Sequence, residues 1–374
     1  MMQRTPPMGW NTWNTFGEEI NDRLIREEAD KLIQTGLADA GYRYVVIDDC
    51  WALKERDENG RMVPDPEKFP NGMKALSDYV YSKGLKFGMY TCAGTLTCAG
   101  YPGSYEYEYT DAQTFADWGV DFLKYDFCFH TPILDAKYLY RRMGTALANC
   151  GRDILFSACS WGEEETHEWI KTTGAHMWRS TYDIHDAWEF IKRLILEQDR
   201  LHPYNGVGCF NDMDMLIVGM GGKGNVGVKG CTFEEYRTHF TAWCLMGSPL
   251  MIGCDIRNMS RETLELLSNP EAIAINQDER CCQPYRIRSY GETGDCRVYV
   301  RMLSNGDFAI GVFNLGETDA MFAFNFDEIG VPKACGKQPV LKEIWSGKET
   351  ILPNATMRLT LKPHDCSFYR CRIV

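Results

Sequence analysis

The segment Leu123-Lys124-Tyr125-Asp126-Phe127-Cys128 sets an ammonium and a carboxylate on alternate residues at the end of an apolar run that begins at Val120. Alternate residues of a strand share a face, and such a run bounded by polar residues reads as a buried parallel strand. Lys124 and Asp126 therefore fall together where the strand leaves the core. A structural salt bridge would also account for the pair. Charged side chains at the carboxyl end of a barrel strand are more often catalytic, however, and Asp126 is read as a nucleophile. A second carboxylate, Asp183, closes the run Met177-Trp-Arg-Ser-Thr-Tyr-Asp183. Two carboxyl groups about 5 to 5.5 Å apart hydrolyse glycosides with retention, one attacking the anomeric carbon and the other acting as acid and then base. Arg179, four residues before Asp183, suits bidentate contacts to substrate hydroxyls. Trp13, Trp51, Trp178 and Tyr182 offer aromatic faces of the kind that pack on sugar rings.

Eight runs supply the strands that such a site needs: residues 8–14, 42–51, 86–91, 120–126, 154–160, 177–183, 206–212 and 250–254. Amphipathic helical segments separate them, near 22–37, 73–82, 111–118 and 135–149, and each polar cluster comes just after a strand. This alternation predicts an α/β fold, a (β/α)₈ TIM barrel over residues 1–279. From Cys281 the pattern changes to short alternating runs (Arg297-Val-Tyr-Val-Arg-Met302, Phe308-Ala-Ile-Gly-Val-Phe313) punctuated by Asn305-Gly306 and Ser346-Gly347. Residues 280–374 are expected to form a C-terminal antiparallel β-sandwich domain.

A net charge of −12 argues against nucleic-acid and anionic-membrane partners, which require a basic surface, and favours a neutral small-molecule or oligosaccharide substrate. The chain has no apolar run long enough to span a bilayer and opens without a signal-peptide core, so a cytoplasmic protein is expected, or a secreted one already processed. The sixteen cysteines are spread thinly and often lie inside apolar strands, as small buried hydrophobes do. With no CxxC or HExxH and no ligand spacing among seven histidines, neither a metal nor a cofactor is expected. A homo-oligomer is left open.

Six motifs in register, Met8-Gly-Trp-Asn-Thr-Trp13, Asp48-Asp-Cys-Trp51, Thr97-Cys-Ala-Gly-Tyr-Pro-Gly-Ser104, Lys124-Tyr-Asp-Phe-Cys128, Trp178-Arg-Ser-Thr-Tyr-Asp183 and Asn211-Asp-Met-Asp-Met215, resemble glycoside hydrolase family 27, the α-galactosidases and α-N-acetylgalactosaminidases. The resemblance runs from about residue 6 to residue 278 and implies an enzyme that removes terminal α-linked galactose with retention. By position it makes Asp126 the nucleophile and Asp183 the acid/base. Lys124 binds ring hydroxyls and keeps Asp126 ionised by its charge. Asp48 and Asp49 accept from the 4- and 6-hydroxyls, where galactose is told from glucose; Trp13 and Tyr90 line the ring's pocket. Arg179 and Asp214 stand on the side of the 2- and 3-hydroxyls and beside the acid/base. Cys98 and Cys128 match a family disulfide next to the nucleophile.

The chain departs from the family pattern in places. Ser160 stands where galactosidases of the family usually place a longer Glu or Gln against the 2-hydroxyl and α-N-acetylgalactosaminidases place Ser; Glu163 stands where the latter have a small residue. Ser160 is thus expected to leave room near carbon two, with activity on N-acetylgalactosaminides as the alternative, or with Glu163 restoring the missing contact. Cys50 lacks the partner that secreted relatives give it, since Phe16-Gly-Glu-Glu19 carries no cysteine. Cys209-Phe210 and Met213 replace the usual Gly-Trp and Pro and leave the shape of that wall open. A β-L-arabinopyranosidase is disfavoured by the retained Asp48-Asp49 pair, and a non-catalytic galactose-binding protein by the presence of both carboxylates.

Overall fold

The computed structural model describes residues 4–289 and 294–374. Eight parallel strands, β1 (Met8–Asn11), β2 (Tyr44–Val46), β3 (Lys86–Cys92), β4 (Phe122–Asp126), β5 (Leu155–Ala158), β6 (Met177–Arg179), β7 (Phe210–Asp212) and β8 (Leu250–Ile252), form one sheet in the order β7-β6-β5-β4-β3-β2-β1-β8. The ring closes just beyond β7, where Leu216 bridges Ile252 in parallel. Leu216 donates its N–H to Met251 O at 2.8 Å and accepts from Gly253 N–H at 2.9 Å. Helices Asp22–Gln34, Gly72–Ser82, Glu108–Trp118, Ala136–Asn149, Trp188–Glu197 and Phe233–Met246 alternate with the strands. The barrel expectation holds. Several strands are shorter than the apolar runs that announced them: after Asn11 the chain turns into a one-turn helix, Trp13–Phe16, and β7 starts only at Phe210, past a Gly206–Cys209 turn.

Why polar groups gather at one end follows from the period-two geometry of the strands. Tyr44 and Val46 of β2, Phe122 of β4, Leu155 of β5, Met177 of β6, Phe210 of β7 and Met251 of β8 pack together as the apolar lower layer inside the barrel. Two residues further along the same faces come Asp48, Lys124, Ser157, Arg179 and Asp212. Another step brings Asp126, Cys159 and Asp214. The outward alternates, Val45, Leu123, Tyr125, Phe156 and Trp178, join the core between sheet and helices. Each inward face thus reads apolar, then polar, from bottom to top.

The C-terminal part is antiparallel. Strands β9 (Tyr285–Ile287), β10 (Cys296–Met302), β11 (Phe308–Asn314), β13 (Pro339–Glu343), β14 (Glu349–Ile351) and β16 (Cys366–Ile373) form a six-stranded sheet in the order β14-β13-β16-β11-β10-β9. β12 (Ala320–Asn325) and β15 (Thr356–Leu361) pair as a second sheet. Val298, Val300, Ile310 and Val312 of the large sheet enclose Phe322, Phe324, Met357 and Leu361 of the small one, giving the sandwich core. The opposite face of the large sheet, through Tyr299, Phe313 and Phe368, belongs to the barrel's own core. The helix Phe233–Met246 runs between the two and is buried around most of its circumference. Gly311 permits this approach, because a Cβ there would stand 2.4 Å from Leu245. Arg301, buried in the large sheet, donates to the carbonyls of Cys244 (3.3 Å) and Leu245 (3.2 Å) at the end of that helix.

Candidate active site

At the carboxyl ends of the barrel strands a cavity of about 240 Å³ is walled by Trp13, Asp48, Asp49, Tyr90, Lys124, Asp126, Arg179, Asp183 and Asp214. Nine of the ten residues singled out for catalysis or sugar binding thus share one hollow. They come from the ends of six strands or the loops just after them, and their convergence follows from the barrel's closure.

Lys124 and Asp126 stand on one face of β4, yet they do not bond to each other. Lys124 Nζ donates to Asp48 Oδ2 at 2.9 Å, while Asn11 Nδ2 donates to the same oxygen at 2.7 Å. Asp126 accepts from the Phe127 N–H at 3.0 Å and from the Tyr90 hydroxyl at 3.1 Å. Burial raises the Asp126 pKa, the Lys124 charge works against that, and the neighbouring Asp183 and Asp48 add to it; the balance is about 6. The lysine charge therefore offsets only part of the desolvation cost. Burial works against the Lys124 ammonium as well, but the carboxylates of Asp48 and Asp126 lift its pKa above the ordinary value, so it stays charged.

Asp49 is held by Cys50 N–H (2.7 Å), the Thr97 hydroxyl (2.9 Å) and Ala99 N–H (3.0 Å). Cys50 lies at φ 69°, a left-handed conformation that a non-glycine residue adopts at a cost of order 1–3 kcal/mol. Its thiol is free and buried. Asp214 likewise sits at φ 83°, so that its carboxylate faces back into the hollow and accepts from Ile184 N–H and Met215 N–H, each at 2.7 Å. Strain of this kind clusters where surrounding contacts over-determine a functional geometry.

The Arg179 guanidinium, fully enclosed, bridges two carboxylates: Nη2 meets Asp183 at 2.5 Å and Nη1 meets Asp214 at 2.8 Å. Burial drives both acids upward, the shared arginine drives both downward, and their mutual repulsion means that the pair titrates as a unit. Asp214, the deeper of the two, is pushed up to about 7, whereas Arg179 holds Asp183 below the usual carboxylate range. The pair thus gives up a proton close to neutral pH. The Asp183 side chain is 60% exposed, at the mouth of the hollow.

Cys98 and Cys128 are joined in a disulfide with their Cα atoms 5.1 Å apart, and an Asp126 carboxylate oxygen lies within 4.8 Å of both sulfurs.

Ser160 is the exception. It does not line the hollow; its side chain is fully buried and its hydroxyl bonds Thr166 Oγ1 at 2.7 Å. The chain turns sharply after it, with Trp161 at φ 55° and Gly162 at φ 79°, and this rotates the serine into its own loop. The room near carbon two that a short side chain at this position was expected to leave is therefore not formed by Ser160. Among the aromatic candidates, Trp51 and Trp178 are core residues: Trp51 Nε1 donates to Tyr90 O at 2.9 Å, and Trp178 is the outward alternate next to Arg179. Cys209, Phe210 and Met213 are buried and form no part of the wall.

Sequence reasoning missed Asn14, His185, Met215 and Asn225, which also line the hollow, and Asp212 beneath it. Asp212 was within reach, since it precedes Asp214 by two and so shares its face. Asn225 arrives from a long loop and carries no local signal.

An eight-stranded barrel with two carboxyls on one hollow at the ends of its strands, among further acids, a lysine and an arginine, has the arrangement of a glycoside hydrolase. Residues 5–278 match the family model described as alpha galactosidase A, and residues 293–371 match the one described as alpha galactosidase C-terminal beta sandwich domain. The chain belongs to the α-galactosidase family, glycoside hydrolase family 27. It is 42% identical to alpha-galactosidase 3 of Arabidopsis thaliana over 369 residues, 98% of this chain and 82% of that protein. The crystal structure of alpha-galactosidase I from Mortierella vinacea matches with a TM-score of 0.91 at 33% identity, covering 99% of this chain and 97% of that one. The alpha-galactosidase from Saccharomyces cerevisiae solved with raffinose matches with a TM-score of 0.89 at 28% identity, covering 99% and 98%.

Proposed function

We propose that this enzyme hydrolyses terminal α-D-galactosyl residues by double displacement. The observation that carries the reading is the meeting of Asp126 and Asp183 on one hollow of about 240 Å³, below the roughly 300–1,000 Å³ of pockets for larger ligands and suited to a single sugar ring. Asp126, with a pKa of about 6, is mostly ionised at pH 7 and is the nucleophile. Its carboxylate oxygen bonds to the anomeric carbon as the glycosidic C–O bond breaks, and Asp183 delivers its proton to the departing oxygen. In the second step Asp183 takes a proton from water, whose oxygen displaces the Asp126 ester. Asp183 and Asp214 titrate as one pair around Arg179, and the proton passed on is the one that this pair binds, while the arginine stays charged throughout. Asp48 and Asp49, with most of their acceptor capacity already directed by Lys124, Asn11, Thr97 and backbone N–H groups, have lone pairs left for an axial 4-hydroxyl and the 6-hydroxyl. The wrong epimer would leave these buried acceptors unpaired.

A preference for N-acetylgalactosaminides loses its motive once Ser160 is turned from the hollow. The substrates are α-galactosylated oligosaccharides. Proton NMR of nitrophenyl α-galactoside hydrolysis tests the mechanism: α-galactose is expected as the first anomer formed. Release of the β-anomer first would refute the assignment of Asp126 as nucleophile, and absence of turnover would refute the activity.

A further inference from the structure

An aromatic row outside the hollow runs from the residue that follows the nucleophile to the residue that precedes the acid/base. Phe127 directly follows Asp126 and is buried. Trp161 meets its ring edge-on at 6.2 Å. Tyr182, directly before Asp183, lies nearly parallel to Trp161, with ring centroids 6.4 Å apart and planes 23° apart. Tyr182 is 54% exposed, a large ring open to solvent beside the catalytic mouth, and it is not part of the galactose hollow.

Two features hold the ring in place. Its hydroxyl donates to the carboxylate of Glu163. The loop that carries Trp161 and Glu163 is wound through left-handed positions at Trp161, Gly162, Glu164 and Glu165, and only glycine fits at 162, where a Cβ would stand 2.5 Å from the Ser180 carbonyl oxygen. Three non-glycine residues at positive φ within five positions are a conformation worth its cost only if the loop presents something.

The chemistry says what. The residue that protonates the glycosidic oxygen must touch it, so whatever that oxygen carries besides galactose leaves the hollow on the Asp183 side. We infer that Tyr182, backed by Trp161 and tethered by Glu163, is a platform on which the sugar ring of the leaving group stacks, making it a subsite that favours galactose linked to a second pyranose. The flat C–H face of such a ring against an exposed phenol ring removes apolar area from water without demanding one linkage. This inference rests on the galactosidase reading and extends it from the glycone to the aglycone.

Two substrates separate the possibilities. α-D-Galactosyl fluoride delivers the same galactosyl group with a leaving group too small to reach Tyr182, whereas the α-1,6-linked galactosyl-glucose disaccharide places a pyranose there. In Tyr182→Ala the ratio of kcat/KM for disaccharide to that for fluoride is expected to fall roughly five- to tenfold, the worth of one aromatic stacking contact. Tyr182→Phe, which keeps the ring and loses only the Glu163 tether, should retain most of the ratio. Equal losses on both substrates would make Tyr182 a support for Asp183 and overturn the subsite, as would an unchanged ratio. If the native enzyme turns over neither substrate, the galactosidase reading falls and takes the subsite with it.

Discussion

Replacing Asp126 with Asn should abolish turnover and at the same time make the protein more stable at neutral pH. The carboxyl is buried, its pKa is raised from 3.8 to about 6 chiefly by that burial, and the lysine two residues away is engaged by Asp48. A folded-state pKa above the unfolded value means that the native state holds this proton more tightly. The group's contribution to stability is fully present below pH 3.8 and is lost as pH rises through 6. A shift of about two units corresponds to about 3 kcal/mol, which the wild type has forfeited at pH 7.5. The asparagine amide keeps an acceptor for Phe127 N–H, and the Tyr90 hydroxyl can turn to accept rather than donate, so both hydrogen bonds survive. With an unfolding entropy of roughly 2.1 cal/mol/K per residue, that is a rise in Tm of roughly 4 °C for a chain of this length. Scanning calorimetry of both proteins at pH 7.5 and pH 4 checks it: the gap should be present at the first and close at the second. A variant no more stable at pH 7.5, or a gap equally wide at pH 4, would refute the claim that the nucleophile is ionised at the expense of the fold.

Other consequences follow from the same geometry. The kcat/KM profile should fall below pH 6 as Asp126 protonates, and Asp214→Asn should move the alkaline limb to lower pH, because the Arg179 charge then acts on Asp183 alone; an alkaline limb that stays put would separate Asp214 from the acid/base. Opening the Cys98–Cys128 bridge, by reductant or as Cys128→Ser, removes a cross-link across 30 residues, worth about 3–4 kcal/mol in the chain-entropy picture, and loosens the segment after Asp126. Tm and kcat/KM should fall together, and a drop in Tm alone would show that the bridge does not shape the site. Glu28, enclosed between Ile256 and Arg257 with its pKa pushed up to about 9 mainly by burial, is neutral at pH 7. Glu28→Gln should match the wild type in Tm at pH 7 and exceed it at pH 10, where the native glutamic acid has lost the stability that its bound proton supplied.

Much of this site was legible because barrel strands alternate strictly. Once Asp126 is taken to point inward, so must Lys124, and the same parity links Arg179 to Met177 and Asp214 to Asp212. That parity also excludes Trp178 from the pocket, a step the aromatic reading did not take. What could not be read is whatever depends on backbone turns without a regular period. Ser160 faces away from the hollow because Trp161 and Gly162 adopt positive φ, and nothing in Cys159-Ser-Trp-Gly162 fixes that rotation ahead of the tertiary contacts. Nor does the segment around Asn225 announce that it folds back over Asn14 and Trp13, to whose carbonyl Asn225 Nδ2 donates at 3.2 Å. The sandwich was legible in kind from its turn pairs, but the sharing of one of its faces with the barrel was not.

That shared face has a consequence for anyone hoping to trim the enzyme. From Thr238 onward every residue of the helix Phe233–Met246 is buried, and its last carbonyls lean on a guanidinium supplied from beyond residue 300. Cutting the chain after the eighth strand's helices would not liberate a smaller catalyst; it would strip an apolar flank bare and leave a barrel prone to self-association. The appended sheet, which contributes no residue to the hollow, thus helps to hold up the barrel that carries the acids.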